Sequence, residues 1–381
     1  MSDTETLPPS VPPSPAAPPR QRRGAVTTLW FVIGAVFTVG VAVLIAASVI
    51  TVPYVILAPG QTYTATKLVS VPTGVATYPS TGEIRFVTVS ERVEPTLLDK
   101  IQAEHDSDDE VLTEKDVFGD QSQQQNEQSN QVAMTDSKDT AALVALRKLG
   151  YSVSSDVVIV GLVDNAPVAS VAKAGDVIAA IDGTAITSTD GLRSILAGHK
   201  PGDQITLEVV DTDGNHSTGT VTLGTNPDTG AAFLGVSLGD RPRTDSLPFQ
   251  VSIDTSQVGG PSAGLAFTLA ILDVLTPGEI TGGQPVAATG TISADGSVGP
   301  IGGIEQKVVT VEEAGVKVFL VPADDHCGEA NGSCNYSDAK RKAGDKLQVI
   351  PVANLDDALK ALASLGGNAL ALGQPGNSPT G

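Results

Sequence analysis

The chain has 381 residues, with 43 acidic against 23 basic side chains and a formal net charge of −20. Proteins that bind nucleic acids need a stripe of Lys and Arg to neutralise phosphates, so this balance excludes that class of partner. Hydrophobic residues make up 41% of the chain and charged residues only 17%, which excludes a wholly disordered chain, a coiled coil and a multi-pass membrane protein.

Residues 1–23 form a tail with repeated prolines, which predicts a disordered or extended segment. The next residues, 24–52, contain no charged side chain and are long enough to cross a bilayer as one transmembrane helix. Two other interpretations stay open. A cleaved signal peptide usually has an apolar stretch of about 7 to 15 residues, and a buried core helix normally has a polar stripe.

Three arginines, Arg20, Arg22 and Arg23, immediately precede the apolar segment. Positively charged flanks of a membrane helix stay on the cytoplasmic side, so the N-terminus is predicted to be cytoplasmic and everything after Val52 extracytoplasmic. The sequence therefore predicts a single-pass protein of the cell membrane whose folded part lies outside the cytoplasm.

Two stretches of different composition follow the apolar segment. In residues 53–101, apolar and β-branched side chains alternate or occur in short runs, separated by Gly and Pro. This pattern predicts a β-rich juxtamembrane segment. Residues 102–139 turn acidic and rich in Gln and Asn, which predicts a solvated helix, insertion or linker rather than a core.

Residues 140–224 combine a helix that has an apolar face with short strands and Gly turns, as in a small β-rich domain. The segments APVAS, GDVIAAIDGTAI, GLRSIL and KPGDQITLEVV follow one another as in bacterial PDZ domains, which this region resembles. The resemblance implies that an extended peptide adds a strand to the sheet edge, and Gly150, Tyr151 and Val153 are the candidate peptide-binding residues. A PDZ-like module that serves only as a packing spacer is the alternative.

The segment TSQVGGPSAGLAFTLAILDVL places Ser262 at a tight turn that opens onto an apolar helix. Unpaired backbone N–H groups and the helix dipole at such a place favour a developing negative charge, so an oxyanion could be held by the N–H groups from Gly260 to Ser262. The same pattern also fits a serine that only caps the helix.

A nucleophilic serine needs a base, and the four histidines show no recognisable triad pattern. Lys307 follows a Gly-Gly turn and has valines around it. A lysine with its ordinary pKa near 10.4 is protonated at neutral pH, but burial among apolar side chains lowers that pKa by several units. Lys307 is therefore a candidate base, with an ordinary surface lysine as the alternative.

The serine and lysine segments together resemble the proteolytic domain of the Lon family, in particular its membrane-anchored members with a PDZ domain. GGPSAG carries the serine, and TGTISADGSVGPIGGIEQK carries the lysine. The resemblance spans residues 231–366 and implies an α+β fold and a serine endopeptidase with Ser262 as nucleophile, Lys307 as base and Thr289 beside the dyad. Residues 367–381 remain as a flexible tail.

This resemblance has two departures and several implications. Gly259 stands where many family members have Asp, and Gln306 replaces a Glu commonly found beside the lysine. The pattern G-x-x-x-x-G-K-[ST] is absent from the sequence, so we expect proteolysis without ATP and without a cofactor. The implied partners are protein or peptide substrates and further copies of the chain, in a hexamer by family resemblance. An inactive, membrane-tethered scaffold that binds through its PDZ-like module is the competing function.

The two cysteines, Cys327 and Cys334, lie close together in a stretch rich in Asp, Gly and Asn. Outside the membrane this arrangement favours a disulfide that closes a small loop. A metal site that includes His326 would need more ligands, and free thiols are the third possibility. We therefore predict a disulfide and no metal.

Overall fold

The computed structural model describes residues 23–119, 121–163, 165–227, 229–243, 247–255, 258–324, 327 and 334–368. Within these residues the helices are α1 (Arg23–Ala47), α2 (Leu97–Ala103), α3 (Glu114–Phe118), α4 (Gln123–Lys148), α5 (Thr189–Leu196), α6 (Gly264–Leu275), α7 (Ile304–Glu313), α8 (Asn335–Ala343) and α9 (Leu355–Ser364). The strands are β1 (Tyr54–Thr64), β2 (Val69–Ser70), β3 (Glu83–Val93), β4 (Glu110–Thr113), β5 (Ser155–Leu162), β6 (Val177–Ile181), β7 (Thr184–Ala185), β8 (Gln204–Val210), β9 (His216–Thr222), β10 (Gly224–Thr225), β11 (Ala232–Phe233), β12 (Val236–Pro242), β13 (Ser252–Ile253), β14 (Pro285–Ala288), β15 (Thr291–Ile292), β16 (Val298–Gly299), β17 (Val318–Pro322) and β18 (Gln348–Val352). The predicted N-terminal tail up to residue 22, most of the predicted C-terminal tail and His326 lie outside the described residues.

Among the described residues, α1 is the one helix long and apolar enough to cross a membrane. Along Trp30–Ala47 its large apolar side chains are exposed, which is not the environment of a core helix. Directly after the helix, the Leu97 N–H donates to the Ile50 carbonyl at 2.8 Å and the Val52 N–H donates to the Pro95 carbonyl at 3.0 Å. The end of α1 is therefore held against the folded domain without a free linker.

A six-stranded sheet with the order β4–β1–β3–β14–β17–β18 forms the centre of the larger domain. Three of its strands precede the PDZ-like region in the chain and three follow it. They meet at the parallel pair β3–β14, where Ile84 lies opposite Val286 and Phe86 lies opposite Ala288. All four side chains are buried, so the β-rich juxtamembrane segment completes the same sheet as the downstream segments.

A second sheet, with the order β12–β5–β6–β8–β9 and with β7 paired to β6, forms the smaller domain. It has a core cluster of its own, which includes Ile159, Ile178, Leu207 and Val221. β12 lies at one edge of this sheet, and helix α5 packs beside it. The chain enters the smaller domain from α4 and leaves it toward β13, so this domain is inserted within the larger one.

Helix α4 packs along α6 in the larger domain. In its second half Leu143 and Leu146 are fully buried, in the same cluster as Phe267 of α6. The composition of residues 102–139 predicts an insertion or linker, and the pattern after it predicts a helix of the PDZ-like domain. The structure joins the end of that stretch and the predicted helix into one helix of the larger core, because an apolar face shows that a helix is buried but not which domain buries it.

Candidate active site

Ser262 lies two residues before helix α6, in the connection that follows strand β13. Gly260 has a backbone φ of +87°, a left-handed value that favours glycine, and this turn brings Ser262 to the start of the helix. A Cβ at Gly264 would lie 2.8 Å from Ile292 Cγ2, so the first turn of α6 also requires glycine. The structure gives the N-cap position to Ala263, so Ser262 does not serve as the cap of the helix.

Lys307 is carried by helix α7 and points into the protein interior. The helix begins after Gly303, whose left-handed backbone (φ +63°) turns the chain into its first residue. Lys307 is only 2% exposed, and its Nζ lies 2.9 Å from Ser262 Oγ. Burial lowers the pKa of Lys307 to about 7, because the protein around it does not replace the water that solvates an ammonium group. A surface lysine is therefore excluded.

Thr289 directly follows strand β14 and contacts both Ser262 and Lys307. Its hydroxyl accepts a hydrogen bond from Lys307 Nζ at 3.2 Å and donates one to the Ser262 carbonyl at 3.1 Å. The same carbonyl accepts a 2.8 Å hydrogen bond from the Gly290 N–H. Because Thr289 is fully buried, these bonds fix the serine backbone and the lysine amine relative to each other.

The backbone N–H groups around Ser262 differ in whether they already have an acceptor. Gly260, which we predicted to support an oxyanion, donates its N–H to the Asn130 carbonyl of α4 at 2.9 Å, and Pro261 has no N–H. Within the described part of the chain, no acceptor takes the N–H of Ser262 or Ala263 at the positive end of α6. In this conformation an oxyanion would therefore find its donors at Ser262 and Ala263 rather than at Gly260.

A cleft of about 1050 Å³ opens onto Ser262 and Lys307. One wall consists of Leu57, Pro59, Gly60, Gln61, Tyr63, Phe86, Val87, Thr88, Val89, Ser90 and Glu91, from β1 and β3. The other wall consists of Glu127, Asn130, Gln131, Met134, Thr135 and Lys138, from α4. This volume lies at the upper limit of the range for ligand pockets, about 1,000 Å³.

Strand β1 bends where it lines the cleft, because its register with β3 shifts between Pro59 and Thr62. At the bend, the Gly60 N–H donates to Thr310 Oγ1 on α7 at 2.9 Å. A Cβ at Gly60 would lie 2.5 Å from the Thr88 carbonyl oxygen, so only glycine fits. The bulge thus ties the strand wall to the helix that carries the lysine.

The α4 wall is the part of the candidate site that sequence reasoning missed. We expected residues 102–139 to be solvated, yet the α4 residues of the cleft recur at helical spacing on one face. The signal was present in the sequence as a polar, amide-rich face that continues into an apolar one within the same helix. Composition alone does not identify this wall, because a polar helix face has the same composition whether it contacts water or lines a cleft.

A second, smaller groove of about 300 Å³ lies between α5 and β12 in the smaller domain. The residues that we predicted to bind peptide lie elsewhere. Gly150 forms the left-handed turn (φ +89°) after α4, Tyr151 stacks edge-on against Phe249 with 5.7 Å between ring centroids, and Val153 packs in the core of the larger domain. The predicted residues precede β5, the first strand of the domain. The residues that line this groove after α5 follow the last hairpin and continue into β12.

Cys327 and Cys334 are joined by a disulfide, with 4.6 Å between their Cα atoms. Asp324 lies two residues before His326 in the sequence. It accepts hydrogen bonds from the N–H groups of Tyr336 and Ser337 at 2.9 and 3.1 Å. Its carboxylate therefore serves the start of helix α8. No group of three or more His, Cys, Asp or Glu side chains in the described ranges is arranged to hold a metal ion.

Two solved PDZ domains of SdrC-like proteins are similar to part of this chain. The domain from Listeria monocytogenes is 26% identical, and the alignment covers 22% of this chain and 85% of that one with a TM-score of 0.21. The domain from Listeria innocua is 20% identical, and the alignment covers 22% of this chain and 92% of that one with a TM-score of 0.21.

Two Lon proteases match this chain over a small part of their own length. The chain is 36% identical over 101 residues to the Lon protease of Trichlorobacter lovleyi, which is 26% of this chain and 11% of that protein. It is 34% identical over 131 residues to the Lon protease of Methylocella silvestris, which is 34% of this chain and 15% of that protein. The matches therefore span 11–15% of the length of these two relatives.

Two family models match the chain itself. The model described as the Lon protease (S16) C-terminal proteolytic domain matches residues 254–364, which include the serine, threonine and lysine described above. The PDZ domain model matches residues 130–223, which include the strands β5 to β9 of the smaller domain. The chain therefore carries a PDZ domain and a Lon-type C-terminal proteolytic domain.

Proposed function

We propose that this protein is a membrane-anchored serine endopeptidase in which Ser262 is the nucleophile and Lys307 is the general base. The observation that carries the proposal is the 2.9 Å contact between Lys307 Nζ and Ser262 Oγ, made by a lysine that is 2% exposed. A serine hydroxyl needs an adjacent base to attack a carbonyl, and an amine acts as a base only when it is neutral. With a pKa of about 7, a large fraction of Lys307 is neutral at physiological pH.

In the proposed reaction, Ser262 Oγ attacks the scissile carbonyl carbon while Lys307 Nζ takes the hydroxyl proton. The tetrahedral intermediate places its negative oxygen near the N–H groups of Ser262 and Ala263. The C–N bond then breaks, the Lys307 ammonium gives its proton to the leaving amine, and an acyl ester remains on Ser262. A water molecule loses a proton to the neutral lysine and attacks the ester, and the ammonium then returns that proton to Ser262 Oγ as the new carboxyl terminus leaves. Thr289 keeps the amine directed at the serine throughout.

The PDZ domain would position the substrate for this reaction. β12 is the edge strand of its sheet, so its outer backbone groups are available to pair with an extended peptide. The groove beside it, with Leu192, Leu196 and Leu238 among its lining residues, would hold alternate side chains of that peptide. We propose this groove, in place of Gly150 to Val153, as the peptide-binding site.

The membrane anchor and the absence of an ATPase motif complete the proposal. The arginines before the apolar segment favour a cytoplasmic N-terminus, which would put the proteolytic domain outside the cytoplasm. The sequence contains no phosphate-binding loop motif, so proteolysis would proceed without ATP.

A reporter enzyme fused after Gly60 should be active only outside the cytoplasm, and activity inside would reverse the proposed orientation.

Replacing Ser262 with alanine tests the proposed function. We expect the detergent-solubilised Ser262→Ala variant to cleave an unfolded protein such as reduced casein at least about a thousandfold more slowly than wild type, because the hydroxyl that forms the acyl ester is gone. The matched control is Ser170→Ala, which changes an exposed serine of the PDZ domain and should keep the wild-type rate. Gel-based cleavage assays give the rates, and wild-type cleavage by Ser262→Ala would reject the nucleophile.

A further inference from the structure

Helix α4 contacts the nucleophile loop at two points on one face. The Asn130 carbonyl accepts a 2.9 Å hydrogen bond from the Gly260 N–H, and the Ser137 hydroxyl donates a 3.1 Å hydrogen bond to the Pro261 carbonyl. Positions 130 and 137 are about two helical turns apart, so both lie on the same side of the helix. The helix therefore holds the two residues that immediately precede Ser262.

Packing adds to these two hydrogen bonds. A Cβ at Gly259 would lie 3.3 Å from Asn130 Cβ, and a Cβ at Gly264 would lie 2.9 Å from Ser137 Oγ. The backbone on both sides of Ser262 thus packs closely against α4, more tightly at Gly264 than at Gly259. Because close-packed elements transmit displacements, a shift of α4 would move the nucleophile with it.

The other end of α4 is fastened to both domains by Arg147. Its guanidinium donates to the Val153 carbonyl at 2.8 Å, to Ser155 Oγ at 3.2 Å and to the Ala294 carbonyl at 3.2 Å. Ser155 is the first residue of β5 in the PDZ domain, whereas Ala294 lies between β15 and β16 of the proteolytic domain. One half-buried side chain therefore joins the helix that positions the serine to the sheet of the PDZ domain.

From Ser155 the hydrogen bonds continue to the candidate peptide groove. Ser155 Oγ lies 3.0 Å from Asp240 Oδ1, and the same carboxylate oxygen accepts a 2.9 Å hydrogen bond from the Thr189 N–H. Asp240 lies on β12 and Thr189 begins α5, and these two elements form the walls of the groove. An occupant that changed the spacing of α5 and β12 would therefore act on the Asp240 carboxylate and, through Ser155, on Arg147.

We propose that helix α4 transmits the state of the PDZ groove to the nucleophile, with Ser137 and Arg147 as positioning residues. This inference rests on the proposed role of Ser262. Between Ser137 and Arg147 the helix is a rod of about 15 Å, and its packing against α6 favours motion of the helix as a whole. Such motion matters because a displacement of about 1 Å in a reacting group can lower turnover by about a hundredfold.

A double-mutant cycle on the full-length protein in detergent tests the link. Ser137→Ala removes the hydrogen bond to the loop, and Ser155→Ala removes the PDZ-side partner of Arg147 without touching the cleft. We expect each variant to lower kcat for a fluorogenic peptide by about threefold to tenfold with KM unchanged, and the double variant to lose no more than the larger single loss. The rate at which a fluorophosphonate modifies Ser262 should fall in parallel.

The control is Ser217→Ala, which changes an exposed serine on β9 and should leave kcat unchanged. Wild-type kcat in Ser155→Ala, or losses that multiply in the double variant, would overturn the proposal. So would a lower melting temperature with an unchanged Ser262 modification rate, since that result is the signature of a structural role alone. Asp240→Asn replaces Ser155→Ala if the latter does not fold. Failure of the proposed function is distinct, because Ser262→Ala would then cleave like wild type.

Discussion

Replacing Lys307 with arginine should reduce peptide cleavage by roughly a thousandfold or more, since nucleophile and base act as a unit. Guanidinium keeps its proton at every accessible pH, so it cannot take the proton from Ser262 Oγ, which lies 2.9 Å from the lysine amine. Measurement of kcat on a fluorogenic peptide checks the loss, and circular dichroism checks that the variant is folded. Wild-type turnover in Lys307→Arg would contradict the assignment of the base.

A second substitution, Lys307→Met, separates loss of the base from loss of stability. Burial lowers the pKa of Lys307 to about 7, so between about pH 7 and 10 the unfolded chain binds more protons than the folded one and stability rises with pH. Methionine removes this dependence and the cost of keeping an amine buried. We expect Lys307→Met to be inactive and yet to unfold at a higher temperature than wild type at pH 7, as measured by thermal denaturation.

Thr289→Val should lower kcat by about tenfold to a hundredfold, which is less than the loss that we expect on replacing Ser262 or Lys307. Valine has nearly the same shape, but it neither accepts the hydrogen bond from Lys307 Nζ nor donates to the Ser262 carbonyl. The carbonyl then keeps its 2.8 Å hydrogen bond from the Gly290 N–H, and the amine loses the hydroxyl that directs it. Steady-state kinetics on the same fluorogenic peptide measure the change.

The matched control for Thr289→Val is Thr268→Val. Thr268 is also a fully buried threonine, but its hydroxyl donates to the Gly264 carbonyl at 2.9 Å within helix α6, a hydrogen bond that involves neither Ser262 nor Lys307. We expect its kcat to stay within about threefold of wild type. Equal losses in the two variants would mean that Thr289 acts through packing rather than through its contacts with the pair.

The site itself was the part of the structure most open to prediction from sequence. Gly260 and Gly303 both adopt left-handed backbone turns. The first brings Ser262 to the start of α6, and the second leads into α7, which carries Lys307. The apolar residues around Lys307 indicated burial, which is the physical condition for a neutral amine. Each of these patterns involves only a few neighbouring residues, so it can be recognised in the sequence without knowledge of the fold.

The assembly of the larger domain was less open to prediction. An alternating pattern predicts that residues 83–93 form a strand, but it does not say that Ile84 and Phe86 pair with β14 about 200 residues later in the chain. The PDZ domain separates the two halves of the sheet, and no local signal marks the join. The same separation hid the role of α4, whose polar half lines the cleft while its apolar half packs against α6.

The peptide-binding residues show a third limit. Gly150, Tyr151 and Val153 have the glycine and apolar residues of a binding loop, but Tyr151 and Val153 pack with the larger domain. The groove that we propose for the peptide lies instead beside β12, beyond the last strand of the recognisable pattern. Composition identifies the kind of loop, whereas the order of strands in the sheet decides which loop reaches the groove.

The rate at which a fluorophosphonate modifies Ser262, measured between pH 5 and 10, tests most directly whether neutral Lys307 activates the serine. The account predicts that the rate rises with pH through one apparent pKa of about 7 and is level above about pH 8.5, because only the neutral amine accepts the serine proton. It also predicts that Lys307→Arg loses this rise. A rate that still climbs steeply above pH 8.5, as for a lysine with its ordinary pKa, or an unchanged profile in Lys307→Arg, would contradict the account.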